Sequence, residues 1–98
     1  MRTSMSYWQA TQLFLSDTGV HEVEVNVSSS KLRCNCNGYG SRSSCKHVRF
    51  VRSRMDDNGG IYPTEISNKA SKLDAAVASK DPNAFRQLLI NYGKIEVL

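Results

Sequence analysis

The 98 residues hold no apolar run near the ~20 that a membrane-spanning helix needs. No apolar stretch of signal-peptide length precedes Tyr7-Trp8-Gln9. These absences point to an intracellular protein, cytoplasmic or, in a eukaryote, nuclear, without a membrane partner. Repeats and low-complexity tails are also missing. There are only three cysteines, an odd count that suits no disulfide framework. In a reducing compartment they stay thiols. H-E-x-x-H, G-x-S-x-G and a glycine-rich phosphate loop do not occur, nor does the zinc-deaminase pattern of a ligand-adjacent Glu with P-C-x-x-C. The chain therefore carries no sign of an enzyme. Finally, no acidic residue lies between Lys31 and Arg54.

What is present is concentrated in the middle. Cys34, Cys36, Cys45 and His47 read C-x-C-x(8)-C-x-H and take in all three cysteines and one of the two histidines. Three thiolates and an imidazole make a full tetrahedral shell for one zinc ion. Catalytic zinc usually keeps an open position with three protein ligands, so a closed set of four reads as structural. A thiol nucleophile with a histidine base is the weaker alternative, because it leaves Cys34 and Cys36 unexplained. The cysteines sit among Asn, Gly, Ser and Arg, which does not suit a dry core. His21 lies on an alternating strand away from the motif and reads as a non-ligand.

The same segment is basic. Lys31, Arg33, Arg42, Lys46, Arg49, Arg52 and Arg54 fall within it, whereas the neighbouring acids lie outside. The formal net charge is +4. Zinc on three thiolates would lower it by one, to about +3.

A small α+β fold follows from the patterning. Tyr7 to Leu15 reads as a strand, Asp17-Thr18-Gly19 as a turn, and Val20 to Val27 as a half-buried strand with alternating valines. Ser28 to Ser30 is a second turn, and Lys31 to Cys34 a third short strand. Residues two apart on a strand share a face, so Cys34 and Cys36 can meet one ion. Asn35 to Ser44 is a loop. A helix is expected from Lys46 to Met55. Helical residues two apart point ~200° apart, so Cys45 should precede the helix and His47 stand in its first turn. His47, Val48, Val51 and Met55 form its inner stripe, with Lys46, Arg49 and Arg52 on the other side. Phe50 falls off that stripe. It either packs against the C-terminal part or stands exposed for stacking, and the usual burial of aromatics favours packing. Beyond an extended Ile61-Tyr62-Pro63, a helix is expected over Ser67 to Ser79, buried through Ala70, Leu73 and Val77. Asp81 caps another helix that Gly93 stops, with Phe85, Leu88, Leu89 and Tyr92 inward. Ile95 to Leu98 suits a final strand.

The ligand order and spacing, the Cys45-Lys46-His47-Val48 stretch, and the β-rich run before Cys34 with a helix after Cys45 resemble the SWIM zinc finger. The resemblance covers residues 7–55 and implies a ββα zinc-finger module; residues 61–98 lie outside it and read, from their own pattern, as a helical extension packed on that module. SWIM modules are associated with DNA binding and with protein contact. With the acid-free basic stretch over the ligands, the expected function is a small stand-alone zinc module that binds DNA or RNA through a basic face. Arg42, Lys46, Arg49 and Arg52 would meet phosphates, and Tyr39 would stack on a base. The alternative is a protein-interaction adaptor of the kind found among accessory or viral regulators.

Overall fold

The structure, a computed structural model, describes residues 7–17, 19–36 and 45–98. Its elements are β1 (Trp8–Ser16), β2 (Gly19–Asn26), β3 (Leu32–Cys34), α1 (Lys46–Asp57), α2 (Lys72–Ala78), α3 (Pro82–Tyr92) and β4 (Ile95–Val97). The strands form one mixed sheet in the order β3-β2-β1-β4. β1 and β2 make the expected antiparallel hairpin, and β3 pairs antiparallel with β2. Gly19 closes the hairpin opposite Ser16 with φ 125°, a left-handed conformation that favours glycine. β4 lies parallel to β1, with Leu13 opposite Ile95. Thus the α+β class holds, and the C-terminal segment supplies the fourth strand.

β1 is buried continuously from Ala10 to Leu13 and at Phe14, because helices cover both sheet faces. On one face, Phe14, Val23, Leu32 and Cys34 meet Cys45, Val51 and Met55 of the α1 region, with Tyr62. On the other face, Ala10 and Leu13 pack under Leu89 of α3, with Ile66. A register shift between Ala10 and Gln12 separates the two alternations. Thr11, the extra residue of that bulge, turns its hydroxyl to the Val23 carbonyl at 3.0 Å.

Buried polar groups tie the later residues to the sheet. The Tyr62 hydroxyl donates to Gln12 Oε1 at 2.8 Å. Gln12 Nε2 donates in turn to the carbonyls of Lys94 and Leu13. Burial first of all pushes the Tyr62 phenol up to about 12.

Two expectations need correction. The helix expected over Ser67 to Ser79 starts later, at Lys72, where Ser71 and Asp74 form a reciprocal capping box. Ser67 is held extended instead, its N–H on the Tyr92 carbonyl at 2.8 Å. This short helix does not bury Leu73 and Val77, which are 73% and 52% exposed; its one buried residue is Ala78. By contrast, α3 follows expectation at both ends, with Asp81 as N-cap, Pro82 in the first turn and Gly93 as C-cap. Its Leu88 and Leu89 are buried, and Phe85 and Tyr92 half-buried. Gly93 is required by contact: a Cβ there would lie 2.5 Å from the Leu89 carbonyl oxygen.

Tyr62→Phe would leave the buried Gln12 Oε1 without its donor. Such a loss costs about 1–3 kcal/mol, to be read as a lower urea midpoint with an unchanged slope. The wild type should also lose stability as pH rises from about 10 towards 12. The unfolded phenol ionises first, while the folded one holds its proton.

Candidate metal centre

Each donor is placed by a different local rule. Cys34 ends β3 on the α1 side of the sheet, opposite Val23. Cys36 follows two residues later and is half-buried. Cys45 has extended backbone, φ −157° and ψ 171°, and is the N-cap of α1. Its sulfur accepts from the Val48 N–H at 3.4 Å. His47 stands in the first turn of α1, 4% exposed. Hence Cys45 and His47 converge because only one of them is inside the helix.

The four ligand atoms lie within 4.8 Å of one another. His47 Nδ1 is 3.7 Å from the Cys34 sulfur and 3.8 Å from the Cys45 sulfur. A tetrahedral zinc with ordinary bond lengths would set sulfur and nitrogen about 3.6 Å apart. The cluster therefore fits one ion with little movement, and Nδ1 is the nitrogen aimed at it.

The electrostatics also suit a cation. Burial above all pushes the Cys34 thiol up to about 12; a hydrogen bond from the Cys36 backbone pulls the other way, and the neighbouring Cys36 and Cys45 thiols raise it further. Crowded thiolates in a low-dielectric site need positive charge to ionise. Burial, then His21 and Lys46, moves the His47 imidazole below its ordinary value, towards the neutral form a metal binds. The N–H groups at the start of α1 favour the negative charge that three thiolates leave on such a site.

Sequence spacing did not place His21 here. Its ring centroid lies 5.3 Å from that of His47, whose ring is also 4.7 Å from that of Phe14. The signal was in the hairpin register, which sets His21 opposite Phe14. His21 contacts Ser16 Oγ at 2.9 Å and is not one of the four clustered donors.

Several of the basic residues have partners of their own within the fold. Arg33 pairs with Glu24 at 2.8 Å and covers Trp8 at 4.1 Å. Arg52 donates to the Ser30 carbonyl at 2.7 Å, and Arg54 lies 4.7 Å over Phe50. Phe50 packs edge-on against Phe14, 5.5 Å away, and so lies against the sheet. Lys46 is exposed and reaches the Leu98 carbonyl at 3.1 Å; Arg49 is exposed. Tyr39 and Arg42 lie outside the described residues. α1 continues past Met55 to Asp57, which brings Asp56 and Asp57 into a groove of about 520 Å³ with Arg49, Arg52 and Ser53.

Among the described residues no helix is long and apolar enough to cross a membrane. No known protein family, curated protein or solved structure matches the chain.

Protein isolated without added zinc should carry one zinc per chain. Structural-zinc binding is worth on the order of 10 kcal/mol, so chelation should abolish the far-UV signal of α1 and β3. Affinity should fall with decreasing pH as protons compete for the thiolates. His47→Ala should weaken zinc binding sharply, whereas His21→Ala should keep the stoichiometry of one; metal analysis after dialysis distinguishes them.

Proposed function

We propose that this chain is a non-enzymatic binding module of the SWIM type, organised by one structural zinc and presenting α1 to a macromolecular partner. The observation that carries this reading is the convergence of Cys34, Cys36, Cys45 and His47 within 4.8 Å. Four protein donors leave a tetrahedral ion no open position for substrate. The SWIM order of ligands is joined by a hairpin, a short strand and a helix in that order. On this reading the module is residues 7–55, and residues 61–98 are its extension.

The character of α1 favours a protein partner. Its outer groove holds Asp56 and Asp57 beside Arg49 and Arg52. Carboxylates there would repel a phosphate backbone, while a protein surface can match both signs. Nucleic acid is the second reading. It rests on the exposed Lys46 and Arg49 at the metal end of α1, and on Arg42 and Tyr39, which fall between Cys36 and Cys45 in the sequence.

Titration with short duplex DNA and RNA against salt separates the two. The protein reading expects no measurable binding at about 0.1 M salt, and affinity capture that survives nuclease. Under the second reading, log affinity would fall against log salt by about 0.9 per duplex phosphate contact. Replacing Lys46 and Arg49 together by Gln, with zinc retained, would then make the slope shallower by roughly two such contacts.

A further inference from the structure

The outer surface of α1 is built to match itself. Ser53 stands at its centre, opposite the buried stripe of His47, Val51 and Met55. At ~100° and ~1.5 Å per residue, Arg49 lies ~6 Å from Ser53 towards the N-terminus, and Asp56 lies ~4.5 Å towards the C-terminus. Both fall on the same side of the midline. Asp57 lies on the other side, with Lys46 closer to the midline.

These charges run against the helix dipole. Lys46 and Arg49 stand near its positive end and Asp56 and Asp57 at its negative end, and no acid occupies the first turn. Among the described residues, Arg49, Asp56 and Asp57 form no ion pair. The near neighbour of Asp56, Arg52, is turned to the Ser30 carbonyl instead. A base placed four residues before an acid is also the weaker helical order.

We infer that, resting on the protein-binding reading above, the partner of this face is a second copy of the chain, docked through antiparallel α1 helices about a two-fold axis at Ser53. The symmetry sets Arg49 against Asp56 of the second copy, and the reverse. It brings Asp57 towards Lys46 of the second copy. Each helix then offers its negative end to the other's positive end, which offsets the inverted charge pattern. Ser53, small and central, lets the helices approach. The repulsion of two zinc-loaded chains, each of net charge about +3, is screened beyond about 8–10 Å at 0.1–0.15 M salt, whereas the facing pairs are closer. One helix face is a small interface, so the dissociation constant should be on the order of 10–100 µM.

Sedimentation velocity of the zinc-loaded protein, from about 5 µM to about 0.5 mM at about 0.1 M salt, tests this across that range. The mass should rise with concentration from 11.0 kDa towards twice that value. Added salt should oppose the rise. Arg49→Asp and Asp56→Arg should each weaken association by about tenfold or more, because each variant turns two attractions into repulsions. The two changes combined in one chain should restore it. Neither residue has an ion pair among the described residues to lose, and zinc content measured on the same samples reports folding. A zinc-loaded monomer at the highest concentration would overturn the dimer and leave the zinc-module reading standing. A dimer indifferent to both single changes, or not restored by the double change, would also overturn it. A chain without zinc would instead overturn the module reading.

Discussion

One residue, Cys45, holds two jobs that would normally go to two. It caps α1, its sulfur taking the Val48 N–H, and it faces His47 Nδ1 as a donor of the candidate metal centre. An N-cap needs extended backbone and a side-chain acceptor, and a ligand needs a sulfur aimed into the cluster. Both conditions are met by one conformation, so the start of α1 and the closing of the site are a single event. Everything on that sheet face follows. His47 enters the first turn, Val51 and Met55 fall beneath it, and α1 lies across Phe14, Val23 and Leu32.

The other sheet face has a different anchor. There Leu89 fills the space over Ala10 and Leu13, and Arg86 holds Glu22 at 3.0 Å. β1 belongs to both assemblies, and the bulge at Thr11 lets it serve each with the correct side chains. Tyr62 and Gln12 form the polar link between them. Tyr62 packs in the α1-side core, and the Gln12 amide continues to the backbone that leads into β4.

Much of this was legible in the sequence, for identifiable reasons. Alternating valines gave β2, and the ligand spacing gave the four residues that come together. The rule that helical residues two apart diverge set Cys45 before the helix and His47 inside it. Asp81, Pro82 and Gly93 marked α3 by chemistry that depends on near neighbours alone. What escaped depends on distant partners. His21 meets the ring of His47 through the hairpin register, which no local pattern discloses. Phe50 packs edge-on against Phe14, because α1 lies over β1. Leu73 and Val77 have helical spacing, yet α2 touches the fold through Ala78 and leaves both outside. The acids at positions 56 and 57 looked external to the basic segment until the helix ran on through them.

The parallel strand β4 has a consequence for folding. The Gln12 amide reaches the carbonyl of Lys94, 82 residues further along the chain. Contacts of such long sequence separation require a large loop to close before they return any energy, and they raise contact order. The hairpin and β3 close through short turns, and α1 reaches Phe14 over a much shorter separation than that. The first two-thirds of the chain can therefore collapse around the Cys45 corner while one edge of β1 is still bare. That edge holds unpaired backbone groups beside Leu13 and Leu15 until Ile95–Val97 arrives, and such an edge invites pairing with another chain. During synthesis, the interval between the emergence of α1 and that of β4 is the period in which this small fold is most exposed to aggregation.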